Sequence, residues 1–200
     1  MIRGIHYRVI LLFLVSGAAA LIYQICWQRM LFESIGVDIE SITIIVSTFM
    51  LGLGLGSLAG GNLADRFPDR ALELFAVIEF ATAAFGIISP TLIRAVSSAT
   101  VHASLGSITA ANFGLLLFPT MLMGATLPIL VRRVLQVYQS VGESVGILYF
   151  SNTLGAAIGA AFTGFVALYR LGLTSTIHVA VALNIAVGVA VCISLRARHG

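Results

Sequence analysis

Residues 42–70 read ITIIVSTFMLGLGLGSLAGGNLADRFPDR and carry no charged side chain before Asp65. A helix needs about 20 consecutive apolar residues to cross the hydrocarbon layer of a membrane, and the part of this stretch up to Leu63 is long enough. Charge then returns at Asp65 and Arg66, and Pro68 begins a turn. Charged side chains cost little at the membrane surface. The stretch therefore predicts a membrane-spanning helix that leaves the membrane near Asp65.

The composition extends this prediction to the whole chain. The 200 residues are 59% hydrophobic and 10% charged, and the mean hydropathy is +1.05. An ordinary soluble domain has about 25% charged residues, so this chain lacks the polar surface that a soluble fold needs. The class predicted is an all-α, polytopic membrane protein.

Six segments are long and apolar enough to span a bilayer. No gap between them is long enough for an inserted soluble domain. We expect one six-helix domain over residues 1–200, with helices at about 9–27, 42–63, 74–93, 108–131, 145–169 and 173–195.

The basic residues predict the orientation of these helices. All 11 are arginine, and eight of them fall on the face that holds both termini. Arginine is enriched in cytoplasmic loops, so both termini are predicted to be cytoplasmic, in the cell (inner) membrane. Because the basic charge is explained by topology, we do not expect a nucleic-acid partner. The cytoplasmic set is Arg3, Arg8, Arg66, Arg70, Arg132, Arg133, Arg196 and Arg198, and the opposite set is Arg29, Arg94 and Arg170.

Small residues recur every four positions in the second and fifth segments. The glycines concerned are Gly52, Gly56 and Gly60 in one and Gly155 and Gly159 in the other. Small residues at this spacing allow helix backbones to approach closely in lipid. They form a helix-packing interface, either with a second bundle or within this one. The two segments hold matching places in a three-plus-three inverted repeat.

Few residues offer chemistry. GLGLGSLA at residues 52–59 matches a dinucleotide-binding fingerprint, but it lies inside an apolar span and lacks the preceding strand that the motif requires. The sequence predicts no catalytic residues, no cofactor and no metal site.

Four polar side chains are candidate ligands within the membrane. Glu79 lies far from any predicted helix end, so it must be protonated, paired or facing a polar cavity. It can serve as a cation or proton site or as a structural hydrogen-bonding group. Gln24 and Arg29 lie near the outer end of the first helix, with Trp27 between them as an interfacial anchor. Asn152 is a polar position inside the fifth helix, where hydrogen bonding between helices is the default.

The loop after the second helix resembles a motif of the major facilitator superfamily. That motif runs G-x-L-a-D-r-x-G-r-[K/R] between helices two and three, and Gly61, Asp65, Arg66 and Arg70 match it. Pro68 and the residue after it depart from the pattern. The resemblance implies one half of a facilitator, with the loop charges stabilising one conformation of two halves.

Four longer stretches of the chain carry a second resemblance. They are SGAAALIYQICWQRML (16–31), GLGLGSLAGGNLADR (52–66), FPTMLMGATLPIL (118–130) and VGILYFSNTLGAAIGAAFTGF (145–165). These stretches resemble the membrane region of the spermidine-synthase-like membrane proteins. In that family a facilitator-like helical region precedes a soluble aminopropyltransferase domain, which binds decarboxylated S-adenosylmethionine and the polyamine. Many members carry an acid where this chain has Gln24.

The family's soluble domain has no counterpart in these 200 residues, so the chain is predicted not to be an enzyme. The leading hypothesis is a non-catalytic anchor or accessory subunit. Its partner would be membrane lipid together with a soluble aminopropyltransferase-like enzyme or a larger membrane complex. The alternative is a transporter of small solutes or polyamines that works as a homodimer of six-helix halves.

Overall fold

The computed structural model describes residues 2–35, 39–100, 102 and 104–199. Regular structure in these residues is entirely helical. The helices are α1 (Ile2–Ile35), α2 (Ile39–Arg66), a 3-10 turn (Pro68–Arg70), α3 (Ala71–Thr100), α4 (Leu105–Tyr138), α5 (Val141–Phe162), a π-helical turn (Thr163–Ala167), the single turn α6 (Leu168–Arg170) and α7 (Leu173–His199).

Six of the described helical segments are long and apolar enough to cross a membrane. The prediction of an all-α chain with six candidate membrane spans is therefore confirmed for the described residues. The spans are Tyr7–Glu33, Ile45–Arg66, Pro68–Thr100, Gly106–Gln136, Val141–Arg170 and Leu173–Ala197.

Tight turns separate two pairs of helices. Between α4 and α5, Gln139 adopts a left-handed conformation with φ 53°, and the Ser140 hydroxyl accepts a hydrogen bond of 3.4 Å from the Glu143 amide. A serine at this position satisfies an amide that the first helical turn leaves unpaired. The turn before α7 contains Gly172 at φ 76°, a conformation that glycine adopts without strain.

The helices pack in pairs that respect an internal symmetry. Helix α1 lies against α5, α2 against α4, and α3 against α7, while α3 also contacts α4 and α1 contacts α7. Exchanging α1, α2 and α3 with α4, α5 and α7 reproduces these five pairs, although among the described residues α1 contacts α3 more than α4 contacts α7. This pairing supports the three-plus-three hypothesis.

The glycine stripes form contacts inside this bundle. A Cβ atom on Gly52, Gly56 or Gly60 would overlap α4; on Gly60 it would lie only 2.5 Å from the carbonyl oxygen of Ala125. Gly155 and Gly159 face α1 in the same way. Of the two interpretations left open by the sequence, the geometry favours close packing within the bundle. The α4 atoms are in Thr120, Met121 and Ala125, and the α1 atoms are in Leu14 and Ala18.

Four aromatic side chains, Tyr23, Trp27, Phe49 and Phe85, belong to one cluster of buried apolar residues. Tyr23 and Trp27 stack with ring centroids 4.9 Å apart, and Phe85 meets Trp27 edge-on at 5.5 Å. Trp27 is fully buried. The prediction that Trp27 anchors the chain at the membrane surface is therefore wrong, because its ring fills the space between helices.

Candidate functional site

Glu79 lies at the centre of the bundle and joins three helices. Its side chain, on α3, is 1% exposed. Ser16 on α1 donates a hydrogen bond of 2.6 Å from Oγ to Glu79 Oε1. Asn184 on α7 donates one of 2.7 Å from Nδ2 to Glu79 Oε2. Each carboxyl oxygen therefore accepts a hydrogen bond from a different helix.

A cavity of about 100 Å³ borders this carboxyl group. Its wall combines polar and apolar side chains from α1, α2, α3, α4, α5 and α7. The polar part includes Ser16, Gln24, Glu79, Thr126, Asn152 and Asn184. Three of the four candidate intramembrane residues, Glu79, Gln24 and Asn152, therefore line one cavity.

Arg29 does not reach this cavity. It is exposed and lines a separate groove of about 490 Å³ near the end of α1, together with Gln28 and Glu33. Gln24 and Arg29 occupy two different places because they lie five residues apart, which puts them on different sides of a helix.

Two members of the site were missed by sequence reasoning. Ser16 is eight residues before Gln24, so the two share a helix face, and that spacing was a usable signal. Asn184 offered no comparable signal, because hydrogen bonding between helices is the default for an asparagine inside a membrane helix. Its Nδ2 makes such a bond, but its buried Oδ1 has no hydrogen-bond partner in the described part of the chain.

The loop motif lies away from this cavity. Asp65, Arg66 and Arg70 are exposed, Gly61 is half-buried, and the Arg66 guanidinium carbon lies 5.7 Å from the centroid of the Phe67 ring. Asp65 and Gly61 line a groove of about 380 Å³ between the ends of α2 and α4. The four matched motif residues thus cluster at one end of the bundle.

Metal-ligating side chains are dispersed. Among residues 2–35, 39–100, 102 and 104–199, no three His, Cys, Asp or Glu side chains group closely enough to hold a metal ion. The polar cavity instead brings together one carboxyl group and several amides and hydroxyls.

The comparisons with known proteins connect this bundle to an enzyme name. The chain is similar to polyamine aminopropyltransferases. It is 25% identical over 179 residues to the polyamine aminopropyltransferase of Oceanobacillus iheyensis, and the aligned region covers 88% of this chain and 33% of that protein. It is 28% identical over 187 residues to polyamine aminopropyltransferase 2 of Streptomyces coelicolor, and the aligned region covers 90% of this chain and 33% of that protein.

The chain thus spans about a third of the length of the curated relatives that it matches. No protein-family model and no solved structure matches it. The similarity agrees in part with the resemblance to spermidine-synthase-like proteins, because both relatives are named polyamine aminopropyltransferases.

The similarity also corrects one prediction. We predicted that the chain is not an enzyme because the soluble aminopropyltransferase domain has no counterpart in its residues. That prediction is wrong, since both relatives carry the name of an enzyme. The missing domain was an argument about one region of the family's proteins, whereas the similarity covers a third of the length of each relative.

Proposed function

We propose that this chain is the membrane-embedded part of an aminopropyltransferase-like enzyme and holds the catalytic part at the cytoplasmic surface. The observation that carries the proposal is the pattern of coverage. About nine-tenths of this helical chain aligns with only 33% of each relative, so two-thirds of each relative lies outside the region shared with this chain.

The surface of the bundle supports placement in a membrane. Large apolar side chains are exposed on several helices, including Leu58 on α2, Phe150 on α5 and Phe165 in the π-helical turn, which is 86% exposed. Soluble monomers rarely expose large continuous apolar patches, whereas lipid is an apolar solvent that accepts them. The proposed location is the inner membrane, with six spans.

The charges support the proposed orientation. Arg66, Arg132 and Arg196 are exposed at helix ends on the arginine-rich face, which we assign to the cytoplasm. In this arrangement a soluble aminopropyltransferase part, fused or separate, would lie on that face. The symmetric helix pairing supports the further assignment of a half-facilitator bundle.

Purification with an activity assay tests the proposal. The chain is isolated from its native membranes in a mild detergent, with everything that is attached to it. The preparation is then assayed for transfer of an aminopropyl group from decarboxylated S-adenosylmethionine to putrescine. We expect activity that follows the chain through gel filtration. Loss of activity into fractions without the chain, or a pure chain with no activity and no companion, would contradict the proposal.

A second candidate function is transport, which the central cavity favours. Facilitator carriers place their substrate path between two six-helix halves, so the chain would act as a dimer. Proteoliposomes loaded with the chain would take up labelled putrescine, and Glu79→Gln would abolish uptake while Glu73→Gln, an exposed position on the same helix, would not. Uptake no greater than that of empty liposomes would exclude this function, and equal uptake by all three proteins would exclude a role for Glu79 in it.

A further inference from the structure

We propose that the cavity beside Glu79 is a binding site for an alkylammonium group, with the Glu79 carboxylate as its counter-ion. The inference adds a ligand to the proposed membrane module and requires only that the bundle lies in a membrane. It does not require that the ligand is transported or chemically changed.

Two hydrogen bonds fix the Glu79 carboxyl group in the cavity wall. Ser16 Oγ donates to one carboxyl oxygen at 2.6 Å, and Asn184 Nδ2 donates to the other at 2.7 Å. Hydrogen bonds donated to both oxygens favour the charged form of a carboxyl group, whereas burial away from water favours the neutral form. The two donors come from α1 and α7, so the tertiary structure of the bundle aims them at this group.

Because burial opposes ionisation, this carboxyl group becomes a carboxylate only beside a positive partner. The described residues that line the cavity include no arginine or histidine, and Glu79 is their single charged side chain. The chain contains no lysine. The described wall of the cavity therefore supplies a negative group and leaves the positive charge to a ligand.

The remaining polar groups suit a ligand that donates hydrogen bonds. Asn184 is 4% exposed, and its buried Oδ1 has no partner in the described part of the chain. A buried amide oxygen without a partner is costly. Asn184 lines the cavity beside Glu79, so an ammonium group there could donate one N–H to the carboxylate and another to Oδ1.

The apolar part of the wall favours an alkylammonium ion over a metal ion. Phe49 and Leu53 on α2 and Met123 on α4 line the same cavity. A metal cation prefers a shell of oxygen ligands, whereas a short methylene chain gains from contact with apolar side chains. The volume of about 100 Å³ has room for an ammonium group with a few methylenes, since one water needs only about 10–15 Å³ by the same kind of measure.

A binding experiment with defined probes tests the inference. The detergent-purified chain is titrated with propylammonium, tetramethylammonium and sodium chlorides at constant ionic strength, and the midpoint of thermal unfolding is recorded. Ligands that bind only the folded state raise the midpoint. We expect propylammonium to raise it, and tetramethylammonium, which has no N–H group, and sodium to raise it much less.

Variants identify the site. Removing a charged hydrogen-bond partner weakens binding by about tenfold or more, so Glu79→Gln should shift the propylammonium titration at least that far. Glu73→Gln, which removes an exposed acid from the same helix, should leave it unchanged. Asn152→Ala, from the half-buried cavity wall on α5, should weaken binding several-fold and provides a test that does not depend on the folding of the Glu79 variant.

Three results would overturn the inference. They are equal effects of sodium and propylammonium, unchanged binding in Glu79→Gln, and unchanged binding in Asn152→Ala. The outcome is separate from the aminopropyl-transfer assay. If the chain binds propylammonium but no transferase activity co-purifies with it, the binding site is supported and the proposed function is contradicted. If transferase activity co-purifies but propylammonium does not bind, the proposed function is supported and the binding site is contradicted.

Discussion

The indole Nε1 of Trp27 on α1 donates a hydrogen bond of 2.9 Å to the hydroxyl oxygen of Ser89 on α3. The Ser89 hydroxyl in turn donates one of 2.9 Å to the carbonyl oxygen of Gly86. Trp27 and Ser89 are fully buried. Where water is excluded, such a polar contact fixes the position of two helices relative to each other, because neither group can form a hydrogen bond with water instead.

Replacing Trp27 with phenylalanine is expected to destabilise the bundle. The change removes the N–H donor and leaves the ring stack with Tyr23 only partly filled. The expected loss in the free energy of unfolding is about 1–3 kcal/mol, measured by titrating the purified protein with sodium dodecyl sulfate in mixed micelles.

Ser89→Ala provides the control for this contact. If the hydrogen bond matters, Trp27→Phe should cost at least about 0.5 kcal/mol less in the Ser89→Ala background than in the wild type. Strictly additive losses would contradict the role given to the bond and assign the effect to packing alone.

The two kinds of glycine in α2 predict opposite outcomes. A Cβ atom on Gly56 would overlap the backbone of Met121, whereas one on Gly54 would meet nothing within 4 Å. Gly56→Ala should therefore lower the free energy of unfolding by about 1–3 kcal/mol. Gly54→Ala should leave it unchanged or raise it by up to about 1 kcal/mol, because alanine favours a helix. The same detergent titration measures both.

Helix α5 offers an independent repeat of this comparison. Gly155 lies against Leu14 of α1, while Gly146 has open space where a Cβ would stand. A loss for Gly155→Ala with no loss for Gly146→Ala would extend the result to the α1–α5 contact. Equal effects at packed and open positions would contradict the packing of these helices.

The helices themselves could be predicted from the sequence, but their neighbours could not. Runs of apolar residues mark six spans because each span depends only on local composition. The four-residue spacing of Gly52, Gly56 and Gly60 likewise predicts a close contact. This spacing does not identify the facing helix, because a small residue allows the backbone of any helix to approach closely. That α2 meets α4 is a property of the whole bundle.

The candidate site could be predicted from the sequence only in part, because the sequence marks single residues but not the residues that they meet. Glu79 stands out because an acid far from a helix end requires an explanation. Ser16 shares a helix face with Gln24, but nothing in the sequence connects it with Glu79, which lies 63 positions away along the chain. The interpretation of Trp27 failed because tryptophan is equally suited to a membrane surface and to a buried core.

The exposed loop charge should contribute little to the stability of this bundle. Asp65 is exposed at the end of α2, and a surface substitution usually changes stability by less than about 0.5 kcal/mol. Asp65→Asn should unfold at the same detergent concentration as the wild type, as should the matched Asp69→Asn. A large loss specific to Asp65→Asn would show that this charge supports the bundle itself instead of a contact with another protein.

The placement of six spans with both termini in the cytoplasm is tested most directly by cysteine labelling in intact cells. In a chain whose Cys26 and Cys192 are replaced by alanine, single cysteines are introduced at the exposed positions Asp69 and Leu171. The account predicts that a membrane-impermeant maleimide labels Leu171→Cys in intact cells and labels Asp69→Cys only after the membrane is opened. Labelling of both positions from the outside, or of neither until the cells are opened, would contradict it.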